Sequence, residues 1–439
     1  LTGQPFPDKR ITAQRTNPVS QKGRDLYIPQ PNLGAPGALT NNLGFAHDYP
    51  NDLYKGDWLF LRIDHNLSSK NSLYGRFTQR KTPYVLSGGL PGFEWTRTRD
   101  HQQTVISDTH IFTPTLVNTF HFGWAPDKIV DGEEVDGRTP RNADEVVRAI
   151  GLQGVNRRNL STMGFPTINI TGFTALDVTN GGVNADDHTF TYDEILTWVK
   201  GRHIWKFGAV LRKFSAYNSK IPNSNYGNFT FNGVMSGHAF ADFLLGIPQN
   251  STRLDPFTGR TQRAYELGLF VTDTFRISRR LSLDYGLRWE YFGSPTYDDG
   301  LQFNWDPATG NVVVAPGTLS AVSPLYPKTI KVVEGKVVPN PDKRNFLPRL
   351  GFAYRMRDNF VVRGGYGVFT YRVDYFDRVS GGGPFQIAET YVNSIVGGQP
   401  MFAFPNPFPT TLATATIPSQ SVRGYPLETR DGTVHQFNL

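Results

Sequence analysis

From Leu281 to Tyr291 apolar and polar side chains alternate. Leu281, Leu283, Tyr285, Leu287, Trp289 and Tyr291 hold one parity, and Ser282, Asp284, Gly286, Arg288 and Glu290 hold the other. Successive side chains of an extended strand face opposite ways, so one face of this segment is apolar and aromatic and the other is charged. Two environments suit such a strand. A soluble sheet buries the apolar face against a second sheet, whereas a membrane barrel turns it to lipid around a wet lumen.

The pattern recurs in five strand–turn–strand units. They run through Leu59–Thr78, Thr104–Trp124, Phe190–Leu211, Glu266–Phe292 and Phe346–Tyr371. Their turns fall at Asn66–Asn71, Phe112–Thr115, Lys200–Arg202, just before Leu281, and at Arg357–Asn359. Pro114 lacks a backbone donor and belongs in a turn, outside the ladder. In the last unit Leu350, Phe352 and Tyr354 oppose Arg349, Gly351, Ala353 and Arg355. The strand Thr104–Ile111 has no clear face. Between units lie long connections, roughly 80–101, 125–189, 215–262, 293–345 and 372–433. Compact soluble domains connect elements with about 4–6 residues. Strict alternation of short and long connections is the asymmetry of outer-membrane barrels. Two connections carry helical signals: Arg141–Gly151, stopped by Gly151, and Gly237–Pro248, ended by Gly246 and Pro248. Residues 1–57, rich in Pro, Gly and Asn, are expected to be an irregular segment packed on something else.

Composition narrows the choice. The 439 residues include 44 Gly, 31 Pro, 32 Phe and 19 Tyr, which favours β-structure with many turns. The mean hydropathy is −0.38, and no run of eighteen apolar residues forms a membrane helix. Barrel strands escape that test, because only alternate residues meet lipid. There is no cysteine, which excludes disulfides and thiolate metal sites. The net charge of +7 comes from basic residues interleaved with acids, without the one-sided cluster that nucleic-acid binding needs. The chain opens on Leu1 with no charged region leading into an apolar one, so an internal fragment is expected.

Several stretches carry a resemblance. Leu1–Pro7 with Asn17–Ser20, Arg62–Ser68, Phe240–Gly246, Leu281–Tyr291 and Val434–Leu439 resemble, in this order, TonB-dependent receptors of the Oar-like, acidobacterial type. The resemblance implies an all-β fold, an antiparallel transmembrane barrel of 22 strands in the bacterial outer membrane. Ten or eleven of those strands would be present, from about the third to the twelfth or thirteenth. Residues 1–57 would be an extracellular loop and 58–439 a partial barrel with long extracellular loops. A plug domain and a TonB box, which family members carry, are not visible in the sequence. The implied partners are outer-membrane lipid, a plug of the same full-length chain, the TonB complex through the missing N-terminal part, and a large substrate: a saccharide, a peptide or an iron chelate. No catalytic residue or cofactor is implied.

On this basis the lumen wall is expected to carry Arg76, Lys206, Arg212, Asp284, Arg288, Glu290, Arg349, Arg355 and Arg363. Leu283, Tyr285, Leu287, Trp289, Phe352 and Tyr354 are expected to face lipid. A charge at the lipid midplane costs about 2–4 kcal/mol, which fixes the direction. Trp124, Trp198, Trp205, Trp289 and Tyr291 are candidates for interfacial girdles; carbohydrate stacking in a soluble lectin is the alternative. Asp127, Asp131, Glu133, Glu134 and Asp136 form an acidic loop without the spacing of a calcium loop or of a glycosidase pair. His110 and His121 could be neighbours across one hairpin, with no third metal ligand indicated. Gly364-Gly365-Tyr366-Gly367 lacks the helix start and Lys-Ser/Thr of a phosphate loop. The rivals to a receptor are a surface adhesin or secretion-related barrel and a soluble carbohydrate-binding β-protein.

Overall fold

The computed structural model describes all residues except 1–5, 39, 46–55, 87, 136, 138–140, 157–163, 179–182, 221–222, 256–258, 372–382, 410–423 and 429. Eleven long strands follow one another in a single antiparallel path. They are β1 (Asp57–Ser68), β2 (Asn71–Leu86), β3 (Trp95–Thr113), β4 (Leu116–Asp131), β5 (Val183–Lys200), β6 (His203–Lys220), β7 (Arg260–Arg276), β8 (Leu281–Phe292), β9 (Asn345–Arg357), β10 (Phe360–Tyr371) and β11 (Gly432–Asn438). Thr296–Tyr297 adds a twelfth short strand beside β7. Each long strand pairs with its neighbours in sequence, so the sheet is a meander. Among the described residues it does not close: β1 and β11 are its two edges.

All five expected hairpins form, with turns of two to four residues at one end of the sheet. Gly201 provides the left-handed conformation that one of these turns needs, at φ 61°. The strands continue beyond the apolar alternation at their other ends. β3 has 19 residues and β5 and β6 have 18 each, whereas about 9–11 residues cross a bilayer. The expected loop at 80–101 is therefore largely strand, in β2 and β3, because hydrogen-bonded pairing continues after the side chains turn polar.

The long connections converge on a second body, the cap. Its four-stranded sheet has the order 387–392, 250–255, 228–231, 167–170, and three helices pack with it. Helix α2 (Ala143–Ile150) starts where the Asn142 side chain accepts the N–H groups of Asp144 and Glu145, and it stops at left-handed Gly151. Helix α3 (Ala239–Leu245) ends at left-handed Gly246. Helix α1 (Pro18–Tyr27) corrects the expectation of a wholly irregular first segment. Asn17 caps it through Val19 N–H, Pro18 occupies its first turn, and it packs on α2 and α3. The shared core includes Phe93, Phe165, Phe229, Phe231, Phe243 and Phe404, drawn from four separate connections. A smaller sheet of 303–306, 311–314 and 332–334 carries its own cluster around Val312 and Tyr326.

Candidate functional site

The register of the wall resolves its two faces. Leu283 pairs with Phe352, Tyr285 with Leu350 and Leu281 with Tyr354; on the other side Leu287 pairs with Val271 and Trp289 with Leu269. Leu283, Tyr285, Leu287, Trp289, Phe352 and Tyr354 therefore share one face, with Phe207 and Ala209 of β6 alongside. Among the described residues no second layer covers this face: Leu287 is 42% exposed and Phe352 38%. The opposite face carries Lys206, Arg212, Asp284, Arg288, Glu290, Arg349, Arg355 and Arg363. Arg76 follows the same parity through its pairing with Arg62 and Val105.

On the charged face the polar groups engage one another. Arg212 meets Glu266 at 3.5 Å and Arg288 meets Glu290 at 2.6 Å. Arg76 donates to Gln103 at 2.9 Å and Thr274 to Asp284 at 2.6 Å. The Arg349 guanidinium lies 4.8 Å from the Phe369 ring. Large side chains lie flat across this face because glycines leave room. A methyl group at Gly208 would meet the Phe270 ring, and one at Gly268 would meet Arg288. Gly367 serves the same purpose on β10, where Phe369 lies beside it, while on the apolar face the Phe352 ring crosses Gly364.

Aromatic residues mark two levels on the apolar face. Near the short turns Trp198 pairs with Trp205, which also meets the edge of Tyr285. Near the cap Trp124 stacks with Phe190 and His188, Trp289 stacks on Tyr291, and Tyr265 donates to Tyr291 at 3.3 Å. Phe190 and Trp198 are eight residues apart on β5. At about 3.4 Å per residue that is roughly 27 Å along the strand, or about 21 Å of height at a tilt near 40°. The lower level also holds a polar knot that periodicity did not single out: Asp273 bonds His203 Nδ1 at 2.6 Å and accepts from Tyr285 Oη at 2.7 Å. Asp108 and Glu194 are exceptions to the parity, flanking Phe120 on the apolar face.

Three expectations are corrected. His110 pairs with Asn118 and His121 with Ser107, so the two imidazoles lie on opposite faces, and His110 meets Asn71 at 3.0 Å. Asp127 and Asp131 belong to β4, not to a loop, and are held by Arg99 and Arg97 respectively. Asp136 lies outside the described residues. Finally, Thr104–Ile111 does have faces, with Ile106 opposite Phe122 and Ser107 turned the other way.

The cap holds polar groups that come together only in three dimensions. Arg253 pairs with Glu389 at 2.8 Å, donates to the Gly154 carbonyl at 2.9 Å and lies 4.3 Å from the Phe408 ring. Tyr391 donates to the same Glu389; burial and this bond push its hydroxyl up to about 12. Tyr226 donates to Asp144 at 2.8 Å and is likewise raised, first by burial and then by the carboxylate. Buried Asp242 accepts from Gly233 N–H, Met235 N–H and Ser236 Oγ, which ties α3 to the preceding turn. In each case the carboxylate receives at least two donors. Among the described residues no group of three or more His, Asp or Glu is placed to hold a metal ion.

The family model described as outer membrane beta barrel domain matches residues 1–439. Comparison with curated proteins gives no match. Among solved structures the chain is similar to the alcaligin outer membrane receptor FauA from Bordetella pertussis, at 10% identity and TM-score 0.38, covering 78% of this chain and 41% of that one. It is similar to the copper transporter OprC at 10% identity and TM-score 0.40, covering 77% and 42%. It is also similar to the ferric-catecholate import receptor Fiu from E. coli K12 at 12% identity and TM-score 0.38, covering 79% and 50%. The chain thus spans between two fifths and a half of the length of these structures.

Proposed function

Because the chain belongs to the outer membrane beta barrel domain family, and so to the bacterial outer membrane, we propose that it forms part of the wall and the outer loops of a TonB-dependent receptor. The apolar face of β1–β11 meets acyl chains, with the two aromatic levels at the headgroups. The charged face lines a lumen that a plug domain of the same full-length chain occupies. The cap stands outside the cell and takes up a large substrate, of the class of saccharides, peptides or iron chelates. Energy reaches the plug through the TonB complex. The finer family placement is the Oar-like type, with 22 strands in the complete barrel.

One observation carries this proposal: every short turn lies at one end of the sheet, and every long connection lies at the end where the cap has folded. A porin-like or purely adhesive wall does not need so large an ordered body, whereas capture before energised passage does. The test is uptake by cells that express the full-length protein, supplied with labelled ferric chelates, oligosaccharides and peptides. At least one should accumulate, and accumulation should collapse when a protonophore discharges the inner membrane. Accumulation indifferent to the protonophore would contradict the proposal.

A further inference from the structure

The charged face is not uniform from end to end. Toward the cap several of its arginines are matched with carboxylates: Arg97 with Asp131, Arg212 with Glu266 and Arg288 with Glu290. At the short-turn end they are not. Arg202, Arg276, Arg279, Arg280, Arg355 and Arg363 line one depression of about 590 Å³. No carboxylate lines it, and among the described residues none of these six makes an ion pair.

The depression is built into the backbone. Arg276 N–H donates to the Arg202 carbonyl at 2.9 Å, and Arg355 N–H donates to the Arg280 carbonyl at 2.8 Å. Arg202 Nη1 reaches the Ile277 carbonyl at 2.9 Å. Ser278 shapes the turn between, its hydroxyl accepting from Arg280 and Leu281 N–H at 3.1 Å. Two turns and the end of β9 are thereby laced into one platform. Its floor is small: Arg276 pairs with Ser282, Ser282 with Ala353 and Ala353 with Arg363. Three strand spacings of about 4.8 Å put the backbones of Arg276 and Arg363 roughly 14 Å apart.

Six guanidinium groups around a small-residue floor repel one another until an anion neutralises them. Each presents a planar fork suited to phosphate or carboxylate oxygens. We infer that the short-turn mouth of this wall is a binding site for a multivalent small anion, with phosphate or carboxylate groups spread wider than one phosphate. The site rests on the assignment of the charged face to the lumen. In that setting it draws anionic solute toward the end of the wall opposite the cap.

The test is calorimetric titration of the full-length protein in neutral detergent with inorganic tripolyphosphate. Binding is expected to weaken with added salt, and the double variant R355Q/R363Q should weaken it about tenfold or more. The charge-conserving R363K should lose less, and the control R24Q in α1 should bind unchanged. Heat-dependent electrophoretic mobility shows that each variant still forms its barrel. Absent binding, or binding indifferent to R355Q/R363Q in a folded barrel, overturns the inference. So does a site that takes only lipid headgroups, seen as binding to phosphatidylglycerol nanodiscs with none to tripolyphosphate. The titration needs no transport. A protein that binds tripolyphosphate but shows no energised uptake would sink the receptor proposal and leave the anion site standing.

Discussion

The cap and the wall are made from one chain, yet they bury their aromatic residues differently. In the cap Phe229, Phe231 and Phe243 are fully covered by protein. In the wall Phe207 is 40% exposed and Leu350 55%, and every residue of β1 is exposed. The cap has an interior of the ordinary kind, packed from several connections. The wall has none: its apolar face is one layer thick and stays uncovered over adjacent strands. An exposed patch of that extent in water is an aggregation hazard. The difference teaches that the two regions are built for different surroundings, and on the receptor proposal the layer over the wall's apolar face is lipid.

Substitutions at matched apolar positions should separate the regions. Phe229→Ala removes a ring packed on Phe404 and Phe408 and should cost the cap about 3–5 kcal/mol. Denaturant titration with limited proteolysis of the loops would read this while the barrel stays folded. Leu287→Ala in the wall should change little, because lipid fills the space; equal losses at the two positions would break the comparison. Leu287→Arg should destabilise the barrel by about 2–4 kcal/mol near the midplane, measured by reversible folding into bilayers. The same residue placed at Thr272, on the other face of the neighbouring strand, should be tolerated. Asn142→Ala removes the cap of α2 and should cost about 1 kcal/mol, seen as faster amide exchange at 143–151 alone.

The smallest expected effect concerns pH. Burial alone would raise Asp342, but hydrogen bonds from Arg344 and from Asp431 N–H outweigh it and hold the carboxyl below its usual range. A depressed carboxyl stabilises the fold above its ordinary pKa, and that contribution fades as pH falls through the lowered value. Exchange at the Asp431 amide, relative to its intrinsic rate at each pH, should therefore rise below about pH 4 and stay level from there to neutrality. A rise toward alkaline pH would be the wrong sign.

Much of the wall was legible because side-chain parity survives in one dimension. The short-turn ends were placed within a few residues, since Pro114, Gly201 and Asp358-Asn359 punctuate them. The other ends ran further than expected because Arg97, Arg99, Asp127 and Asp187 break the apolar alternation while their backbones still pair. Helices α2 and α3 announced themselves through their stops, Gly151 and Gly246. Helix α1 carried Asn17-Pro18 as a start signal, but Gly23 and its polar composition hid the rest. The core of the cap could not be read, because Phe93, Phe165, Phe231 and Phe404 meet only after separate connections fold together. The six arginines of the short-turn mouth were hidden for the same reason. They come from three hairpins, and only Arg355 and Arg363 stand on an evident charged parity.

The most direct test is spin labelling of the full-length protein in bilayers, at single cysteines placed in turn from Leu283 to Glu290; this chain contains no native cysteine. Relaxation by oxygen, which concentrates among acyl chains, should peak at 283, 285, 287 and 289. Relaxation by a water-soluble nickel chelate should peak at 284, 286, 288 and 290. Equal accessibility at both parities, or oxygen maxima at the even positions, would contradict a wall whose apolar face is wetted by lipid.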